Sequence, residues 1–293
     1  MKPSHFLLAI FVVFIWGLNF VIIRVGLNGF PPLLLGAVRF ALAAFPWVFF
    51  LPRPQAPFKF IFGYGLFTFT LQFAFLFSGI HLGLPPGLSS LVLQVQAFFS
   101  MGLAALFFHD RPSLWKIFGA LISFFGIGIV AAHMGGSTSF LGLGLTLIAA
   151  FCWASGNMFS KKVDARSSLS LVVWGSLVAF PIMTALSIFM EGPALIQASF
   201  QNVSFPTVGA VLYLVYLSTH LGYSAWGFLL NTYPTAVVVP FTLLVPVFGF
   251  LGSALFLGEE LPQWKIVASL FVMVGLAFNL LEKQIRAWMI RAS

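Results

Sequence analysis

Charged residues are spaced along this chain about as widely as membrane helices are long. No Asp, Glu, Lys or Arg lies between Lys59 and Asp110, and none lies between Lys116 and Lys161. The first stretch is broken at Gly83-Leu84-Pro85-Pro86-Gly87 and the second at Gly135-Gly136-Ser137, so each holds two helices and a turn. A helix crosses a bilayer with about 20 apolar residues. Applied along the chain, this predicts ten spans at 6–25, 33–51, 59–80, 86–107, 115–133, 139–159, 169–190, 207–229, 236–257 and 264–281, the second and tenth being the weakest. The apolar runs are continuous instead of alternating, which excludes a membrane β-barrel. Phe6 to Ile23 is as long as a full span and no small-x-small cleavage site follows, so it reads as the first span and not as a signal peptide.

Composition agrees with the pattern. Charged residues make up 7% of the chain, against roughly 25% in soluble domains. That deficit excludes a soluble enzyme, a disordered protein and a nucleic-acid binder. The net charge of +8 has a membrane explanation, because Lys and Arg anchor cytoplasmic loops. With the N-terminus inside, the cytoplasmic face receives Lys2, Arg53, Lys59, Arg111, Lys116, Lys161, Lys162, Arg166, Lys283, Arg286 and Arg291, and the outer face only Arg24, Arg39 and Lys265. Both termini are therefore expected in the cytoplasm. Cys152 has no second cysteine to pair with, so cysteine usage says nothing about redox compartment.

The chain also repeats itself. Gly102-Leu103-Ala104-Ala105-Leu106-Phe107-Phe108-His109-Asp110-Arg111-Pro112 is echoed 150 residues later by Gly252-Ser253-Ala254-Leu255-Phe256-Leu257-Gly258-Glu259-Glu260-Leu261-Pro262. Trp115-Lys116-Ile117 with Gly126 returns as Trp264-Lys265-Ile266 with Gly275, and Trp16 and Asn19 return as Trp153 and Asn157. The predicted halves are 1–135 and 136–293, with five helices each. An odd number makes the second half enter the membrane upside down, which is the inverted repeat of many secondary transporters. The expected fold is thus all-α, with ten transmembrane helices as two inverted five-helix repeats.

Polar groups inside the spans mark the candidate site. Tyr213, Tyr216, His220 and Tyr223 fall on a stripe about 80° wide at 100° per residue, facing either a cavity or a neighbouring helix. Gln94 and Gln96 lie two apart and cannot share a face of a regular helix, so Gln96 is assigned to the cavity and Gln94 to a neighbouring helix. Gln72 is a third amide at similar depth. Trp16 with Asn19 and Trp153 with Asn157 either line the interface between the halves or fill gaps and staple helix pairs. Arg39 either snorkels, attracts a substrate carboxylate or holds a structural contact. Pro240 and Pro246 should bend the ninth span, as a gate or simply as shape. No acid lies near the middle of a span, so carboxylate-based ion coupling is not expected. His220 permits proton exchange, while facilitated diffusion needs no titrating group. No P-loop, metal cluster or nucleophilic triad is present in the sequence. No cofactor, metal, catalytic residue or enzyme activity is expected.

Trp16-Gly17-Leu18-Asn19-Phe20-Val21-Ile22-Ile23-Arg24-Val25-Gly26, Arg39-Phe40 and the Gly-Glu-Glu of 258–260 resemble the EamA-type members of the drug/metabolite transporter superfamily. Leu91-Val92-Leu93-Gln94-Val95-Gln96-Ala97-Phe98-Phe99, Gly63-Tyr64-Gly65 and Leu243-Leu244-Val245-Pro246-Val247 are similar to the O-acetylserine/cysteine exporters within that family. The resemblance covers nearly the whole chain. It implies a multi-pass protein of the bacterial inner membrane that exports small amino-acid metabolites by alternating access, its partners a small-molecule substrate and the lipid bilayer. The alternative cargo is another metabolite, such as aromatic amino acids, nucleobases or drugs. The oligomeric state is left open, a monomer being sufficient, since Gly83 to Gly87 sits at a turn and not on a clear dimer face.

Overall fold

The computed structural model describes residues 1–109, 112–135, 139–163 and 168–282. Ten helices in it are long and apolar enough to cross a membrane: Pro3–Gly26, Pro32–Phe49, Phe58–His81, Pro86–Phe107, Leu114–Ala132, Phe140–Ser160, Ser168–Met190, Phe205–Thr232, Val239–Leu257 and Gln263–Leu280. They are called the first to tenth spans below. Each coincides with a predicted span to within a few residues. Of the residues used to orient the chain, Arg111, Arg166, Lys283, Arg286 and Arg291 lie outside the described residues, as do the acids Asp110 and Asp164.

Local chemistry sets the span ends. Proline occupies the first turn of the first, second, fourth and eighth spans, where its missing N–H costs nothing. Ser113, Ser139 and Ser204 accept backbone N–H groups of the first turns of the fifth, sixth and eighth spans. Two N-terminal turns are capped from a distance. The Glu191 carboxylate accepts the N–H groups of Leu33 (2.7 Å) and Leu34 (3.0 Å), and Glu259 Oε2 accepts that of Gly87 (3.2 Å). Each is an acid of the second half on a helix N-terminus of the first, where the dipole favours negative charge.

The packing is symmetric under exchange of span n for span n + 5. The first span packs on the ninth as the sixth packs on the fourth, and the third packs on the sixth as the eighth packs on the first. The second pairs with the seventh and the fifth with the tenth, each pair being its own image. At the fifth–tenth crossing a Cβ on Gly119 would meet the Gly275 carbonyl, and one on Gly126 would meet the Ala268 carbonyl. Small residues let the backbones approach, which is what drives association where lipid and side chain are equally apolar. Ser123 adds a hydrogen bond across the crossing to the Val272 carbonyl (2.9 Å).

The repeat extends to irregular backbone that the sequence pattern does not announce. The third span carries a π-helical segment at Gly65–Leu71 and the eighth at Tyr213–Leu221. In each, a threonine hydroxyl donates five residues back: Thr70 to Gly65 O (3.2 Å) and Thr219 to Leu214 O (2.7 Å). The fourth span is interrupted by a turn at Gln94 and Val95, and the ninth opens with a 3₁₀ segment at Val239–Leu243 that contains Pro240. Pro246 sits in the first turn of the α-helix that follows, Leu244–Leu257. The left-handed residues that end the fourth and ninth spans are His109 (φ 57°) and Gly258 (φ 65°). They register the repeats one residue away from the 150-residue offset that the matched letters suggest.

Candidate substrate cavity

A cavity of about 430 Å³ lies where the two halves meet. That is the size range of small-molecule sites. The fourth and ninth spans close one end of it, packing Pro86–Leu93 against Leu244–Leu257. A Cβ on Gly249 would collide with Ser90 there, and one on Gly17 with the Val245 carbonyl. Glu259 ties the same end together: Oε1 pairs with Lys265 Nζ at 2.9 Å while Oε2 holds Gly87. Lys265, assigned by its place in the sequence to the outer face, is buried and paired. From this closed end the cavity runs past the helix interruptions to Leu230 and Leu280, near the far ends of the eighth and tenth spans.

Of the polar and aromatic candidates drawn from the sequence, Trp16, Asn19, Gln72, Gln94, Gln96, Trp153, Asn157 and Tyr223 line it. Tyr223 stands between the two pseudo-equivalent tryptophans, its ring centroid 5.6 Å from Trp16 and 6.5 Å from Trp153, nearly parallel to the latter. Trp16 Nε1 donates to Ser218 O at 3.2 Å, so its edge is fixed while its ring forms the wall. Gln94 Nε2 donates to Thr242 O at 2.9 Å, the expected cross-helix role. The premise that only one of Gln94 and Gln96 reaches the cavity is corrected: the turn between them breaks the 100° register, and both line it.

Arg39 also lines the cavity and does not snorkel. It is 1% exposed. Its guanidinium lies 4.2 Å over the Phe73 ring, and Nη2 donates to Thr219 Oγ1 at 3.0 Å. Nε and Nη1 have no partner, and no carboxylate pairs with Arg39 among the described residues. Buried amide oxygens without a donor are found on Asn19, Gln72 and Gln96.

The remaining expectations for the eighth span are corrected. His220 Nε2 bonds the Ala43 carbonyl at 2.9 Å and its ring packs edge-on against Trp47 at 5.5 Å, so it faces the second span and not the cavity. Tyr216 is 42% exposed on the outside of the bundle. Tyr213 donates to Ile15 O at 2.8 Å on the first span. The π-helical segment is the reason: i→i+5 bonding widens the turn, and residues that would share a stripe on an α-helix fan out. Trp226 and Thr242 were not anticipated as lining residues. Trp226 was legible, being one turn after Tyr223 on the same face. Thr242 contributes a carbonyl, which no side-chain pattern marks.

No group of His, Cys, Asp or Glu among the described residues could hold a metal ion.

The sequence profile of the EamA-like transporter family matches residues 4–132 and again 140–281. The chain is 42% identical over 285 residues to a protein of Salmonella typhimurium called a probable amino-acid metabolite efflux pump, and 41% identical to one of the same description in Escherichia coli K12; in both cases 95% of each chain is covered. A probable terminal-alkyne amino-acid exporter of Streptantibioticus cattleyicolor is 25% identical, with 91% of this chain and 90% of that one covered. A solved crystal structure superimposes with a TM-score of 0.63 at 17% identity, covering 97% of this chain and 99% of the other, a likeness of fold. A ten-span bundle with a central cavity, matched along both halves by one family and along 95% of its length by proteins called probable amino-acid metabolite efflux pumps, is a multi-pass membrane transporter and not an enzyme: the chain belongs to the EamA-like transporter family.

Proposed function

We propose that this protein is a secondary transporter that exports small amino-acid metabolites of the O-acetylserine and cysteine type by alternating access, its halves 1–135 and 136–293 rocking about the cavity. The observation that carries the reading is the cavity itself: it lies between pseudo-symmetric halves, has the fourth and ninth spans packed together across one end, and holds buried polar groups that nothing among the described residues satisfies. With both termini cytoplasmic, as the basic residues favour, the shut end faces outward and the cavity opens to the bacterial cytoplasm. That is the loading state of an exporter of the inner membrane. The names of the full-length relatives support the cargo class. No cofactor enters the mechanism. Binding energy at the cavity stabilises a change that breaks contacts at the shut end and forms them at the other. One copy holds the whole cavity, so a monomer suffices.

The test is counterflow of labelled cysteine and O-acetylserine into liposomes holding the purified protein. Saturable exchange is expected, and folded protein that exchanges neither would sink the cargo assignment. The Trp16–Tyr223–Trp153 cluster favours a second reading, in which aromatic amino acids, nucleobases or drugs are carried. A competitor panel in the same assay separates the two.

A further inference from the structure

The cavity presents an inventory of unmet donors and unmet acceptors, and the two sets have the composition of one solute's complement. On the donor side stand the unbonded Gln72 Nε2 and, carrying the charge, Arg39, buried, with one donor given to Thr219 and Nε and Nη1 unused. A guanidinium carries five donors in a planar fork, and Phe73 covers one face of it, so recognition falls to the in-plane donors. Leaving a cation in such a place without a counter-ion is costly. The chain could have supplied an acid, yet among the described residues no Asp or Glu lines the cavity. On the acceptor side stand the amide oxygens of Asn19, Gln72 and Gln96, buried and without a donor. Three acceptors match the three donors of an ammonium group.

We infer that Arg39 is the carboxylate-binding residue of this cavity and that the cargo is an α-amino acid zwitterion, its ammonium received by the oxygens of Asn19, Gln72 and Gln96. The inference rests on the carrier reading above and narrows it. A solute with an ammonium and no carboxylate sets a second positive charge beside Arg39. An uncharged solute leaves the fork unpaired. The rings of Trp16, Trp153 and Tyr223 remain for the side chain.

The experiment is competition against labelled cysteine counterflow by unlabelled cysteine, its methyl ester and cysteamine, with wild-type protein and the variants Arg39→Gln and Arg39→Lys. Hydrogen bonds to a charged group contribute roughly 1.5–3 kcal/mol, so the ester and the amine should compete about ten-fold or more weakly than cysteine. Arg39→Gln should raise the KM for cysteine by a similar factor, and Arg39→Lys should recover part of it, while residual competition by the ester stays the same in all three proteins. An ester that competes within about two-fold of cysteine in the wild type overturns the inference, whatever happens to the variants. So does Arg39→Gln with an unchanged KM. Should Arg39→Gln fail to fold, the wild-type series decides alone. Acid, ester and amine exchanged equally well would leave the carrier standing and remove the carboxylate anchor. Exchange of no amino compound would remove both.

Discussion

Gln72 is fully buried in the middle of the third span with neither amide atom bonded. An unsatisfied buried polar group costs about 1–3 kcal/mol, so this side chain is a burden on the folded state unless solute or water reaches it. Gln72→Leu should therefore raise the thermal unfolding temperature in detergent while lowering the affinity of counterflow; a less stable variant with unchanged transport would refute the argument. Residue type and depth made Gln72 legible from the sequence, as they did Asn19 and Gln96. The direction in which a residue faces was a different matter. His220 looked like a cavity residue because its spacing from Tyr223 fits an α-helix, and the backbone there is not one.

At the scale of elements, apolar runs and Pro/Gly breaks were enough to count and place the spans, since hydrocarbon leaves a chain few alternatives to a helix. The interruptions inside the spans were not legible. A π-helical segment needs no special residue, and the two threonines that bridge five residues back look like ordinary helix threonines. Their difference is testable. Thr70 satisfies only Gly65 O, whereas Thr219 satisfies Leu214 O and also receives Arg39. Thr70→Val should destabilise the protein by about 1 kcal/mol, and Thr219→Val by more, since it also takes the acceptor from a buried Arg39 donor. Only Thr219→Val should in addition raise the KM of counterflow, as Michaelis curves for the two variants would show. Equal effects on KM would mean that the threonine does not position the guanidinium.

For the whole molecule, the shut end of the cavity is held by packing and by charge. Removing one member of the Glu259–Lys265 pair leaves a buried charge without its partner, so the informative variant is Glu259→Gln with Lys265→Gln. It also weakens the hold on the Gly87 N–H and should shift the population toward states open at that end. In a Cys152→Ala background, a cysteine at Ser90 should then react several-fold faster with a membrane-impermeant thiol reagent added on that side. An unchanged rate would show that the helix contact alone keeps the end shut. Loss of Glu191, which holds Leu33 and Leu34 at the head of the second span, offers the same measurement at the other cross-half clamp.

The crossing of the fifth and tenth spans has a further consequence. Gly119 meets Gly275 as Gly126 meets Ala268, and exchanging the halves turns one contact into the other. A surface that is complementary to its own copy is the signature of a two-fold dimer. Here it occurs within one polypeptide, so the covalent link between the halves should be dispensable for recognition. Fragments 1–135 and 136–293 produced together should find each other and co-purify. Gly119→Leu, which puts bulk at the crossing, should abolish that pairing well before it abolishes insertion of either fragment. Co-purification would make the chain a tethered pair of five-span units.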